Sequence, residues 1–433
     1  MYKPINKINL ITLGCSKNIV DSEVLIKQLD AGNLIVEHDS ETTDAQTVII
    51  NTCGFIRDAK EESIETILRY ARAREKGEIQ NLYVIGCLSE RYKKELENEI
   101  PEVDRYFGVN DLEQIVKSLG TEYRKELLGE RNLVTPGHYA YLKIAEGCDR
   151  KCAFCSIPFI RGKHISRTIE SLLNETVYLA EQGVKELILI SQDLSYYGLD
   201  IYRKQRLKDL IDKLSEVPGI EWIRLHYLFP ANFPSDILPV IQNKENICNY
   251  LDIPFQHISD PVLKAMRRGI SGKETYELIN RIREEVPGIA LRTTLLTGYP
   301  GENEKDFTKL KEFISEVRFD RLGVFTYSHE EDTHSFNNFK DNIPKEIKMQ
   351  RAEEIMTIQE GISNKLNKEK TGNRYKVLID RQEGDYFVGR TEFDSPEVDQ
   401  EVLIKPTKGL RTGEFCNILI TGYDNFDLYG KVW

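Results

Sequence analysis

Short apolar runs alternate with longer amphipathic stretches along most of this chain. In the first part, to about residue 120, KINLITLG reads as a strand and KNIVDSEVLIKQLDAG as a helix closed by Gly32. The reasons are local: a continuous apolar run suits a strand buried on both faces, and apolar residues three and four apart line one face of a helix. TVIINT, NLYVIG and YFGVN repeat the strand pattern, and DAKEESIETILRYARARE, SERYKKELENEI and DLEQIVKSLG follow them as helices. This alternation predicts a parallel sheet with helices on its faces. The polar stretch RKELLGERNLVTPGHY, with its Gly and Pro, reads as a linker.

The alternation resumes at Tyr139. AYLKIAEG, ELILISQD, WIRLHYL, YLDIPFQ, ALRTTLLTG and RLGVFTYS read as strands, with helices such as IESLLNETVYLAEQG and EKDFTKLKEFISEV between them. About six strand–helix units predict a partial barrel, short of the eight-unit form. A long charged helix from Lys345 to about Lys370 closes this part. Beyond it, from GNRYKVLID onward, short alternating strands are separated by Gly and Pro turns, the pattern of a small antiparallel barrel. The expected class is α/β. A parallel-sheet domain spans 5–121, a partial (βα)6 barrel 134–365 and a small antiparallel β-barrel 368–433.

With 433 residues, 40% hydrophobic and 30% charged, the chain has the composition of an ordinary globular protein with more than one domain. Its net charge of −11 argues against a general nucleic-acid binder and suits a basic partner. No apolar run approaches the length of a membrane span, and the first residues lack a signal-peptide pattern. The expected location is the cytoplasm, without a membrane partner. Disulfides are rare there, so the eight cysteines read as metal, redox or buried residues.

Three of them lie far apart in sequence and at one structural position. Cys15, Cys53 and Cys87 follow the strands NLITLG, VIINT and YVIG. Parallel strands end at a common edge, and open α/β sheets place ligands at that edge. Neighbouring strands lie about 4.8 Å apart, so three loops can reach one small inorganic body. Gly14 and Gly86 precede two of these cysteines and Gly54 follows the third, which lets backbone approach a bulky ligand. The alternative is three separately buried cysteines. Their shared position beside glycine favours a ligand set.

A second set is local. EGCDRKCAFCSIPF holds Cys148, Cys152 and Cys155. A disulfide reading is poor in this compartment, and zinc asks for a fourth ligand, for which His164 and Asp149 are candidates. An iron–sulfur cube normally takes four cysteines. Three would leave one iron open to an exchangeable group.

CDRKCAFC resembles the radical S-adenosylmethionine signature, with Phe154 at the aromatic position before the last cysteine. The resemblance implies that Cys148, Cys152 and Cys155 hold a 4Fe–4S cluster, whose open iron is chelated by S-adenosylmethionine. It implies reductive cleavage of that cofactor to methionine and a 5′-deoxyadenosyl radical. The whole chain is similar to the methylthiotransferases: an N-terminal domain with three cysteines for a second 4Fe–4S cluster, a central radical domain and a C-terminal TRAM barrel. TLGCSKNIVDSE and NTCGFIRDAKEESI resemble the ribosomal-protein branch, the RimO family. The tRNA branch usually carries a GCQMN-like stretch where this chain has GCSKN. The resemblance implies methylthiolation of the β-carbon of an aspartate in small-subunit ribosomal protein number twelve, with two S-adenosylmethionine molecules used. It implies Cys15, Cys53 and Cys87 as ligands of the second cluster, and an electron donor such as flavodoxin or ferredoxin.

Other site residues are read from position. Gln192 and Asp193 end the second barrel strand, where the cofactor's methionine part would lie, although helix capping explains them nearly as well. Thr293 or Thr297 would face the cofactor at the end of the fifth strand, with Gly298 giving it room. Gln256 and His257 end the fourth, His257 also reading as a satisfied loop histidine. Arg161 and Lys163 follow the cluster loop and could steer an acidic substrate side chain, although most such charges are solvated. Cys416 reads as barrel core. Residues 368–433 hold ten Lys and Arg against twelve Asp and Glu, and EFDSPEVDQE is locally acidic. That suits a basic ribosomal protein better than tRNA, unless the stretch is merely a solvated loop. Three rivals remain at this point: the same chemistry on an N6-modified tRNA adenosine, a non-catalytic two-cluster electron carrier, and a zinc-stabilised interaction module.

Overall fold

In the computed structural model, which describes residues 7–433, the apolar runs of the first part become β1 (Lys7–Thr12), β3 (Thr47–Thr52), β4 (Asn81–Gly86) and the short β5 (Arg105–Tyr106). The expected domain start at residue 5 lies outside the described residues. An additional strand, β2 (Ile35–His38), forms one edge, giving the order β2-β1-β3-β4-β5. Every pair in this sheet is parallel. Period-2 alternation sends Ile8, Leu10 and Ile49 to one face, under the helix Ser16–Ala31. Val48, Ile50 and Val84 go to the other face and pack with Ile67 and Ala71 of the helix Arg57–Glu75. Burial on both faces explains why these strands read as unbroken apolar runs.

The chain forms two compact units: Met1–Thr135 with Tyr141–Asp149 and Cys155–Tyr178, and Pro136–Ala140 with Arg150–Phe154 and Leu179–Trp433. The stretch read as a linker is not a plain solvated tether. Within the first unit its Arg131 is fully buried, paired with Glu23 and with Glu175 (2.9 Å). The same unit holds the small antiparallel pair β7 (Ala145–Glu146) and β8 (Ile165–Ser166).

The strand β6 (Tyr139–Lys143) begins in the second unit, followed there by β9 (Glu186–Ile190), β10 (Trp222–Leu225), β11 (Ile247–Asp252), β12 (Ala290–Thr297) and β13 (Arg321–Thr326). They form one sheet in the order β13-β12-β11-β10-β9-β6, the expected six-strand partial barrel. The helix Lys345–Lys370 closes it as expected. The last segment forms a closed barrel, β14 (Arg374–Glu383), β15 (Tyr386–Thr391), β16 (Val402–Ile404), β18 (Leu428–Val432) and β17 (Phe415–Tyr423), around Val377, Ile379, Val402, Ile404, Ile418, Ile420 and Leu428. One of its pairs, β16 with β18, is parallel, so the barrel departs from the all-antiparallel form expected. Cys416 is half-buried against this core. Leu378 of the barrel packs with Trp222, Cys248, Tyr250 and Ala290, which lie at or near the amino ends of the sheet strands. Within this unit the small barrel therefore caps the amino edge and leaves the carboxyl edge to the loops.

Candidate functional site

The first unit brings Cys15, Cys53 and Cys87 to the carboxyl edge of the first sheet. Cys15 caps the helix Ser16–Ala31 and Cys87 opens the helix Cys87–Glu99, so two of the three thiols sit at positive helix ends. Cys15 is exposed, Cys53 and Cys87 are buried, and all are free thiols. Burial pushes the Cys87 thiol up to about 12 and raises that of Cys53, while Arg161 opposes both shifts. Gly14, at φ +94°, lies against Cys53: a Cβ there would stand 2.7 Å from Cys53 Cβ and 3.2 Å from its Sγ. Only glycine lets the loop after β1 approach the second thiol so closely.

One fully buried side chain joins these loops. Asn18 Nδ2 donates to the carbonyls of Leu13 (2.8 Å) and Thr52 (3.0 Å), the residues just before two of the cysteine turns. Its Oδ1 accepts from the Cys87 thiol (3.7 Å) and from Arg161 Nη2 (2.7 Å). Arg161 is 4% exposed and held by Asp21 (3.1 Å) and Glu146 (3.0 Å). It does not project towards solvent as a substrate-steering residue would, whereas Lys163 is exposed. The same two carboxylates hold Lys143. Sequence reasoning did not single out Asn18, although it lies within the GCSKN stretch; its linking role depends on loops that only the fold assembles.

Cys148 and Cys155 belong to the first unit and Cys152 to the second, each half-buried and in no disulfide. In the first unit Cys148 N donates to Gly162 O (3.0 Å). The two residues weighed as a fourth zinc ligand are engaged locally: Asp149 Oδ1 accepts from His164 N (3.2 Å), and His164 Nε2 meets Ser166 Oγ (3.0 Å). In the second unit Cys152 Sγ accepts from Arg268 Nη1 (3.2 Å). The Arg268 and Arg150 guanidiniums both lie over the Phe229 ring, 4.1 and 4.2 Å from its centroid. Phe154 packs edge-on to Tyr299, beside Val262, Met266 and Tyr327. No three His, Cys, Asp or Glu side chains among the described residues form a group able to hold a single metal ion.

The weaker candidates have mostly structural partners. Asp193 Oδ1 caps the turn Leu194–Tyr196 by accepting from Ser195 N (2.8 Å), and Oδ2 binds Arg150 Nε (2.7 Å). Capping, the alternative weighed for it, is thus observed. Gln192, beside it, is half-buried. Thr293 Oγ1 donates to Ile253 O (2.9 Å), and Thr297 Oγ1 to Lys348 O (3.2 Å). The space beside Gly298 is filled by the Lys348 stem, against which a Cβ would clash, so this glycine accommodates Lys348. Gln256 takes φ +70° in a backbone bridge to β12.

His257 is fully buried, and its Nδ1 accepts from Ser259 N (3.0 Å). Burial lowers its pKa to about 4. The unfolded chain binds a proton here below about pH 6.5 and the folded chain only near pH 4, so stability falls as pH drops through that window. The expected loss is about 2–3 kcal/mol by pH 4.5. Urea denaturation at pH 7 and pH 4.5 checks this: His257→Gln should show the smaller loss, and an equal loss in both proteins would refute it.

The acidic stretch EFDSPEVDQE turns out to be largely internal to the second unit. Asp394 pairs with Arg321, Asp399 with Arg292 (3.2 Å), and Glu392 accepts from Asn249 N (3.2 Å). Neither a free acidic face nor a solvated loop describes it.

Comparison with known proteins completes the picture. Residues 7–108 match the uncharacterized protein family UPF0004, residues 142–314 the radical SAM superfamily and residues 371–432 a TRAM domain. The chain is 54% identical to the ribosomal protein uS12 methylthiotransferase RimO of Bacteroides thetaiotaomicron, covering 98% of each chain. It is 56% identical to that of Cytophaga hutchinsonii, with the same coverage. Among solved structures, the radical S-adenosylmethionine methyltransferase TsrM of Kitasatospora setae superposes with a TM-score of 0.55 at 14% identity, covering 74% of this chain and 72% of that one. That likeness is one of fold. With the full-length identities, the chain belongs to the RimO family of ribosomal protein uS12 methylthiotransferases.

Proposed function

We propose that this chain is a radical methylthiotransferase that places a methylthio group on the β-carbon of an aspartate in ribosomal protein uS12, using two S-adenosylmethionine molecules. The observation that carries this reading is identity of 54–56% to uS12 methylthiotransferases along essentially the whole chain. The charge of the C-terminal barrel adds little, because Asp380, Asp394 and Asp399 are tied to arginines of the same unit. An iron–sulfur cluster and S-adenosylmethionine are the cofactors of the radical superfamily matched by residues 142–314.

The finer assignments are ours. Cys148, Cys152 and Cys155 would hold the radical cluster, and Cys15, Cys53 and Cys87 a second cluster that presents sulfur. The first unit suits such a group: three free thiols at one sheet edge, glycine at the close approach, and a buried guanidinium beside buried sulfurs. With its cofactors bound, the protein would have a carbon-centred radical able to take hydrogen from an unactivated carbon, and a sulfur to be transferred. The chain's own contribution is positional. Asn18 ties the cysteine loops together, and Arg268 donates to Cys152 and packs on Phe229. The domain limits 5–121, 134–365 and 368–433, a flavodoxin- or ferredoxin-like electron donor, and a cytoplasmic location complete the reading. No helix among the described residues is long and apolar enough to cross a membrane.

The test compares uS12 and bulk tRNA by mass spectrometry from cells with and without this protein. The expected result is a methylthio group on the uS12 aspartate that disappears with the protein. A methylthio group lost from the tRNA adenosine alone would overturn the substrate assignment.

A further inference from the structure

The N-terminal cysteine site contains a buried cation with no role in the reading above. Arg161 lies shortly after Cys155 in sequence, on the segment that follows the helix Ile157–Ile160. Its guanidinium shares Asn18 Oδ1 with the Cys87 thiol, and its charge opposes the rise in that thiol's pKa. Cys15 and Cys53 also feel its charge. A buried arginine without partners would be costly, and here burial does work against its charge; Asp21, Cys87 and Glu146 more than offset it.

The arrangement has a direction. Lys143 and Arg161 face Asp21 and Glu146, so the four groups are formally neutral together. The cysteines do not meet that neutral average. Arg161 opposes the pKa rise of both Cys53 and Cys87, and its Nη2, besides holding Asp21 (3.1 Å), reaches at 2.7 Å the Asn18 oxygen that accepts from the Cys87 thiol. A fixed positive charge beside the sulfurs of an iron–sulfur group favours the reduced form, and hydrogen bonds to those sulfurs act in the same sense.

We infer that Arg161 is a positioning residue of the N-terminal site: its guanidinium supplies positive charge to an iron–sulfur group held by Cys15, Cys53 and Cys87 and sets how readily that group is reduced. This rests on reading those three cysteines as cluster ligands. Because Arg161 is also tethered to Cys155 by a short stretch of chain, the same contact fixes the end of the C-x-x-x-C-x-x-C loop within the first unit.

The experiment uses the full chain with Cys148, Cys152 and Cys155 all changed to Ala, so that iron retained after anoxic reconstitution belongs to the N-terminal site. Iron and sulfide are counted, and the midpoint potential is measured by redox titration followed by electron paramagnetic resonance. Arg161→Met in this parent should move the potential to a more negative value, and Arg161→Lys should keep it near the parent's. Asp21→Asn, which removes an opposing negative charge, should move it the other way. An unmoved potential in Arg161→Met, or equal shifts in Arg161→Met and Arg161→Lys, overturns the inference. Should Arg161→Met fail to fold or to hold iron, the sign of the Asp21→Asn shift decides. A parent that binds no iron removes the second cluster itself, and the inference falls with it; that outcome is distinct from a loaded parent whose potential ignores Arg161.

Discussion

Replacing Cys152 with alanine is expected to abolish 5′-deoxyadenosine and methylthiolated uS12 together, whereas replacing Cys53 abolishes methylthiolation and leaves 5′-deoxyadenosine formation in place. The contrast follows from the proposed assignment of the two cysteine triads to separate tasks. Cys152 lies in the C-x-x-x-C-x-x-C loop and accepts a hydrogen bond from Arg268. Its removal would take away one of three protein ligands and leave no route to the radical, a loss of about 10³-fold or more, as when one member of a catalytic unit fails. Cys53 is buried beneath the turn at Gly14, in the unit that carries Cys15 and Cys87. Its loss would empty the sulfur-presenting site, with a similar fall in methylthio transfer, and would not touch the residues around Cys152. Chromatography for 5′-deoxyadenosine and mass spectrometry of uS12 on the same reactions read both outcomes. Cofactor cleavage surviving in Cys152→Ala would sink the radical assignment, and methylthio transfer surviving in Cys53→Ala would sink the second site.

Much of this site was legible because it depends on local pattern and sheet topology. Unbroken apolar runs mark parallel strands, parallel strands share a carboxyl edge, and Cys15, Cys53 and Cys87 each follow such a run. Strand β2 was missed because Ile35–His38 is a half-exposed edge strand without a clear apolar run. Arg131 and Arg161 were misread for another reason. A polar stretch with Gly and Pro looks solvated, and an arginine after a cysteine loop looks available to substrate. Their partners Glu23, Glu175, Asp21 and Asn18 lie far away in sequence and are brought together by tertiary packing. The acidic stretch near the C-terminus misled in the same way. Composition counts charges, and only the fold shows that Asp394 and Asp399 are paired inward.

Arg390→Met is expected to be the most destabilising single change in the second unit. Arg390 is 1% exposed and joins the small barrel to the amino edge of the sheet: it binds Asp380 through Nε (2.6 Å) and Glu186, at the start of β9, through Nη2 (2.8 Å). Arg224 reaches the other oxygen of Glu186 (2.8 Å), and His138 meets Asp380 (2.9 Å). Burial alone would raise the pKa of Glu186, and Arg390 with Arg224 more than reverses it. Methionine keeps much of the side-chain volume and removes the charge, leaving Asp380 and half of Glu186 buried without their main partner. Breaking a buried pair in this way costs about 3–5 kcal/mol. Trp222 is a built-in reporter, since its ring lies 4.7 Å from that of Phe415 at this same seam and the chain has only two tryptophans. Its fluorescence in urea should change at clearly lower denaturant in Arg390→Met than in the parent, and adding Asp380→Asn should restore part of the loss by removing the orphaned charge. If the Arg390→Met transition coincided with the parent's, the network would be incidental to the seam, and the apolar contacts of Leu378 with Trp222, Cys248 and Tyr250 would hold the barrel alone.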